Sequence, residues 1–297
     1  MSKRSLCVAA ALALAGACAA RAQVVAPDLL KPENRLVSTS KQFTVFGGTR
    51  QQRSDLARRA EDLKAGVLRE LESRDLWRAP ILIILTPGDG VRLRQPPVFV
   101  QVFNAGEAGR KIQVDISPAG LGDAAAVDAG LLRAILTEWA LRRQQFVANR
   151  FVEPSPWLVA AMSAALARRD PAEAARLYTA LLEAKGMPRM ERFLGQNENA
   201  LRGKARDLHA AQSLALFQSL ADVPGGRAKV VENLTLAEPA EDAVERFGQT
   251  WPEFAADPAR LARVWALGIA RLSSPQKVEM LSASETSEKL GDSLASL

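Results

Sequence analysis

The sequence predicts an α+β chain: a small mixed β-sheet followed by a helical body. Three observations predict it. Short apolar runs bounded by Gly and Pro recur between residues 43 and 116, interrupted by a single long amphipathic helix. Beyond Ser117 helical periodicity takes over and strand patterning stops. With 48% hydrophobic residues, a chain of 297 residues can also bury one large core or two smaller ones.

The N-terminus reads as an export signal over residues 1–22. Lys3 and Arg4 form a basic start, and Leu6 to Ala17 is an apolar run too short to span a bilayer comfortably. Ala20-Arg21-Ala22 then offers a small-x-small cleavage site. Both cysteines, Cys7 and Cys18, lie inside this segment, so the mature chain is expected to carry no disulfide and no thiolate site. A lipid anchor at Cys18 is not expected, because Ala15 stands where a lipobox needs a bulky aliphatic residue. No later apolar run approaches the length of a membrane span. The expected location is therefore periplasmic or extracellular. Removing Lys3, Arg4 and Arg21 from the 39 basic residues leaves 36 against 33 acidic ones, a net charge of +3 instead of +6. That modest charge, spread over helix faces without interleaved aromatics, argues against nucleic acid as a partner.

Residues 23–40 are polar and aperiodic and read as a flexible lead. Phe43–Phe46, stopped by Gly47-Gly48, reads as a strand. From Thr49 to Arg74, Leu56, Ala60, Leu63, Val67 and Leu71 recur at helical spacing opposite a charged face. Pro80–Leu85 is a continuous apolar run, the mark of a buried central strand. Pro97–Phe103 and Lys111–Ile116 read as a hairpin, the second strand alternating Ile112, Val114 and Ile116 with a wet face of Lys111, Gln113 and Asp115.

Helices follow. One spans 126–148, capped by Asp123 or Asp128, with Leu132, Ile135, Leu136 and Trp139 inward. Pro156 starts the next, striped by Trp157, Leu158, Ala161, Met162 and Ala165. Others are expected from Pro171 to Gly186, across 207–220 and 227–234, in two short pieces at 241–247 and 251–254, and across 258–272. A polar connector with a turn at 190–194 precedes the 207–220 helix. Residues 273–297 read as a polar tail or loose helix.

Two helices joined by a short Pro-containing loop, Gly130–Gln145 and Pro156–Leu166, carry a further signal. Thr137-Glu138-Trp139-Ala140-Leu141 on the first and Trp157-Leu158-Val159-Ala160-Ala161 on the second resemble degenerate versions of two motifs. These are the His-Glu-x-x-His and Trp-Leu-x-Glu-Gly patterns of the gluzincin metallopeptidases, in particular the bacterial peptidase MA-like proteins. The resemblance follows element order over residues 40–272. It implies a zincin-like catalytic-domain architecture for 41–272, with a sheet part at 41–118 and a helical part at 119–272. In that family two His and a later Glu hold zinc, and the Glu of the first motif activates water. Those ligand positions here are Thr137, Leu141 and Ala160, and only Glu138 keeps the family's residue. The family also pairs extended peptide with an edge strand along its cleft. The alternative for this chain is a plain edge strand shielded by charge.

The chemistry of the residues agrees with a lost metal site. Thr and Leu at i and i+4 offer zinc nothing, and the single His, His209, cannot make a site alone. No Asp-x-Asp-x-Asp cluster offers a harder ion a cage. No metal and no cofactor are expected, and Glu138 reads as a solvated or capping carboxylate. His209 reads as a satisfied or half-exposed helix residue. Ser213, four residues on, lacks the Gly-x-Ser-x-Gly elbow a nucleophile would need. The expected function is therefore that of an exported, non-catalytic, peptidase-like domain. It would bind a peptide or envelope protein in a former cleft marked by Thr137, Glu138, Leu141, Trp157 and Ala160. Two alternatives stand beside it: a zinc-free hydrolase pairing Glu138 with Glu153 or Asp170, and an inert envelope scaffold.

Overall fold

Helix β-carbons and strand alternation together decide which face of a sheet is covered, and here they do so through one glycine. A computed structural model of the chain describes residues 32–86, 96–104, 109–143, 153–184, 186–196 and 200–273. The export signal, the first part of the lead and the tail beyond Ser273 lie outside the described residues. Strands β1 (Arg35–Val37), β2 (Phe43–Phe46), β3 (Ile81–Leu85), β4 (Val98–Asn104) and β5 (Arg110–Ile116) form one mixed sheet in the order β1-β2-β3-β5-β4. β2, β3 and β5 run parallel at the centre, and β1 and β4 pair antiparallel at the two edges.

The parallel step from β2 to β3 is made by helix α1 (Arg50–Glu70). Gly47 and Gly48 turn the chain at φ 78° and 59°, backbone that side-chain-bearing residues avoid. Thr49 then caps α1 in a reciprocal box with Gln52. Buried Arg53 locks the turn by donating to the carbonyls of Gly47, Gly48 and Glu33. Glu33 precedes β1, so the same guanidinium fixes the first edge strand. The stretch read as a flexible lead thus contains a strand at its end. Three residues with no alternation and no Gly or Pro boundary leave too little pattern to detect.

Along the register, Phe43 and Val45, Ile81, Ile83 and Leu85, Ile112, Val114 and Ile116, and Val98, Val100 and Val102 share one face. Helix α3 (Ala124–Leu141), which follows the short α2 (Pro118–Leu121), packs on that face against β4 and β5, and α1 packs beside it. Gly130 makes the approach possible: a β-carbon there would collide with Val98 Cγ1. Asp123 caps α3 through the Ala126 amide, whereas Asp128 pairs with Arg59 of α1. α3 ends at Leu141, and residues 144–148 of the expected helix lie outside the described residues.

The opposite face differs from the expected wet surface. Gln113 and Asp115 are both buried, and Asp115 accepts from the side chains of Gln113 at 2.9 Å and Gln101 at 3.2 Å. Phe46, Leu82, Ile84, Phe99 and Phe103 share this face. Alternation placed these polar residues away from the helices correctly; it could not show that they satisfy one another across strands.

The helical body comprises α4 (Pro156–Ala167), α5 (Pro171–Leu182), α6 (Met190–Leu194), α7 (Gly203–Ala221), α8 (Gly226–Leu234), α9 (Ala243–Thr250), α10 (Pro252–Ala256) and α11 (Pro258–Ser273). α7 is its axis, packed by α4, α5, α8 and α11. Its residues Ala211–Phe217 are buried all round, as expected for a helix enclosed on every side. One continuous apolar cluster runs from Phe43 in the sheet to Trp265 in α11.

Substituting Gly130 by Ala should destabilise the chain. Forcing a methyl into Val98 costs about 1–3 kcal/mol, against a helix-propensity gain of at most about 1 kcal/mol. A lower denaturant midpoint at unchanged slope is the expected result.

Candidate functional site

Of the five residues marking the expected cleft, three lie on α3 and two on α4, and these helices pack together. None faces solvent. Thr137, Glu138, Leu141, Trp157 and Ala160 are at most 6% exposed. Leu141 and Trp157 belong to the main apolar cluster. Trp157 sits edge-on to Phe247 and Trp251, which stack on each other at 4.7 Å. Its indole thus fastens α4 to α9 and the start of α10.

Glu138 is neither solvated nor a helix cap. Its Oε1 accepts the backbone N–H of Arg78 at 2.7 Å and of Ala79 at 3.4 Å, just before β3. Its Oε2 takes both Nε and Nη2 of Arg142, at 2.9 and 2.6 Å. The Arg142 guanidinium also lies 4.3 Å from the centre of the Trp139 ring. Arg110 donates to the carbonyl of Leu141, so arginines gather where the helix dipole is negative. A carboxylate with both oxygens engaged by a cation and backbone amides is a structural joint, its lone pairs aimed at protein donors.

The other carboxylates considered are placed elsewhere. Glu153 is exposed and bonds Arg133 at 3.2 Å, and Asp170 caps α5 through the Ala172 amide. Neither hydrogen-bonds the Glu138 carboxylate, whose partners are Arg142 and the two amides.

His209 departs from its expected satisfied state. It is 3% exposed, packs 5.0 Å from the Phe193 ring, and neither ring nitrogen has a hydrogen-bond partner. Ser213, one turn on, is fully buried with its hydroxyl likewise unpartnered. Burial pushes the imidazole pKa down to about 4. Phe193 in turn lies 4.6 Å from Trp265, whose indole N–H donates to the Gln212 carbonyl at 2.9 Å. This is an aromatic packing centre that the chain buries at the cost of two unsatisfied polar groups.

Cavities open between elements among the described residues, including a small one of about 10 Å³ beside Ala140, Glu153 and Arg246. One of about 970 Å³ lies where α1, α7, α8 and α11 meet, lined by Glu72, Ser73, Asp222, Gly226, Arg227 and Arg271. Its arginines are already engaged, Arg227 with Glu72 and the Glu70 carbonyl, Arg271 with Asp222. A second, of about 370 Å³, lies between α1 and the start of α3, where Arg59 is held by Asp128 and the Ala124 carbonyl. Among the described residues no group of three His, Cys, Asp or Glu side chains is arranged to hold a metal ion, and no helix is long and apolar enough to cross a membrane.

The sheet also presents backbone at its edge. Among the described strands β4 has a neighbour on one side only, and Val98–Phe103 are all half-buried. No charged residue falls within β4, and its ladder to β5 runs without a bulge from Val98 opposite Ile116 to Asn104 opposite Arg110. Among the described residues, β4 itself brings no charge to this edge. That could be read from composition once the strand order was known, but the order itself could not be read from the sequence.

Comparison with known protein families, curated proteins and solved structures finds no match to this chain.

Replacing Glu138 by Ala leaves a half-buried guanidinium and two amides without their acceptor and should cost about 2–4 kcal/mol. Glu138→Gln, which keeps an acceptor for the amides, should cost less, and denaturant unfolding measures both. His209 sets an acid limit. Its unfolded pKa near 6.5 exceeds the folded value of about 4, so the unfolded chain binds the proton first. The stability is present above pH 6.5 and is lost as pH falls towards 4, by about 3 kcal/mol in full. His209→Phe should flatten that part of the pH–stability curve.

Proposed function

We propose that this chain is an exported, non-catalytic binding domain of gluzincin-like ancestry. Its ligand is an extended segment of a peptide or envelope protein that adds a strand to the edge of β4 with which no other described strand pairs. The single observation that carries the reading is the combination of that uncharged, unbroken edge with a sealed helix pair. Where a zincin would open its metal site, this chain has Thr137, Leu141 and Ala160 in its interior and Glu138 bonded to Arg142. Strand addition draws its affinity from backbone hydrogen bonds and its selectivity from alternate side chains. Here one side of such a strand would meet Val100 and Val102, the other Phe99, Gln101 and Phe103.

What supports the ancestry is element order: a strand, a crossover helix, a strand, a hairpin whose outer strand is antiparallel, then the helix pair. What supports export is the segment 1–22 and the confinement of both cysteines to it. The proposed partner is met outside the cytoplasm, and no zinc or other cofactor takes part.

Peptides selected from a random library should bind without being cleaved, with or without added zinc. Hydrogen exchange of amides 98–104 should slow on binding while the helical body stays unchanged. Zinc-dependent cleavage abolished by Glu138→Gln would overturn the reading, as would protection confined to another surface.

A further inference from the structure

Natural sheets guard exposed edges with lysine, proline, bulges or brevity, because an open ladder pairs with any strand that fits it. β4 has none of these guards along seven residues, a span of about 24 Å at roughly 3.4 Å per residue. The strand that fits an edge best is decided by register and by cross-strand side chains. Outward from Gln101, β4 reads the same in both directions: Val100 and Val102, then Phe99 and Phe103.

We propose that two copies of this chain pair through β4, antiparallel, about a two-fold axis passing between their Gln101 residues. In that register Val100 lies opposite Val102 of the second copy and Phe99 opposite Phe103, each pair occurring twice as an isologous contact requires. Side chains directly opposite in an antiparallel pair share a face. The valines therefore continue the face on which α3 packs, and the phenylalanines continue the face of Gln113 and Asp115. A slip by one residue would set valine against phenylalanine and turn the helix-covered face of one copy to the other side of the joined sheet, so the palindrome favours the register centred on Gln101. No like charges meet between the paired residues, because β4 brings none. Two five-stranded sheets become one of ten strands, and the edges left are the three-residue β1 strands.

This goes beyond strand addition by a peptide and does not require it. A peptide would compete for the same edge, and either pairing can fail without the other.

Sedimentation velocity of the purified full chain across concentrations tests the pairing. A species of twice the monomer mass is expected to grow with concentration. Phe99→Lys and Phe103→Glu singly should each weaken it by about tenfold or more. The double substitution should restore it, because the introduced positive charge of one copy then lies opposite the introduced negative charge of the other. Far-ultraviolet circular dichroism separates lost pairing from lost fold. Gln101→Cys gives an independent readout: mild oxidation should yield a disulfide-linked dimer, since residues at the axis face themselves within bridging distance. The unsubstituted chain controls for Cys7 and Cys18. A folded chain that stays monomeric up to about 1 mM overturns the proposal. So does a dimer indifferent to the charge pair and not captured through residue 101.

Discussion

The burial of one carboxylate, Glu138, is the constraint that orders the middle of this molecule. An ionised group at 1% exposure is tolerable only when every strong acceptor lobe finds a donor, and Arg142 with the Arg78 and Ala79 amides supplies them. Those donors come from the end of α3 and from the entry to β3, so satisfying the charge also sets how the helix lies against the sheet. Gly130 makes the same geometry steric by letting α3 approach Val98. The two requirements act two turns apart on one helix. Together they leave it little freedom to slide or rotate.

The same joint bears on chemistry. A general base must have a lone pair aimed at the substrate's water and a pKa it can use. Glu138 has its oxygens aimed inward and held by a cation, so its identity alone does not make it reactive. The unpartnered imidazole of His209 and hydroxyl of Ser213 are the reverse case: groups with catalytic potential, placed where packing against Phe193 and Trp265 dominates. Side-chain type in a sequence states what a residue could do; its neighbours decide what it does.

Much of the architecture was legible because it is carried by periodicity. Phe43–Phe46, the Pro80–Leu85 run, the hairpin and the helices starting at Pro156 and Pro258 all appear within a residue or two of their expected bounds, while the helix starting at Pro171 ends at Leu182, short of the expected Gly186. Strand β1 was not legible, since its existence rests on Arg53 reaching back to Glu33 and on pairing with β2. The candidate site was less legible still. The sequence marked Thr137, Leu141 and Ala160 as lining a cleft, and they are buried instead; the partners of Glu138 come from 60 residues earlier and from the residue that caps the end of α3. Pairwise contacts of that kind leave no mark on a single sequence. The edge position of β4 is similar: the hairpin predicted two adjacent strands, and only the parallel pairing of β3 with β5 put β4 outside.

Two arginines hold this chain in an unusual currency. Arg53 grips the carbonyls of Glu33, Gly47 and Gly48, and buried Arg246 grips those of Glu153, Ala240 and Glu241. Every residue type offers a carbonyl, so these clamps recognise the path of the main chain and ignore the letters along it. Glu33, Glu153, Ala240 and Glu241 can drift over evolutionary time without loosening either knot. The arginines cannot, because a lysine's single ammonium cannot spread over three acceptors at fixed angles. Mutational tolerance at these clamps should therefore be lopsided: permissive at Glu33, Glu153, Ala240 and Glu241, which only lend a carbonyl, and intolerant at the two guanidinium groups and at Gly47 and Gly48, whose backbone needs glycine.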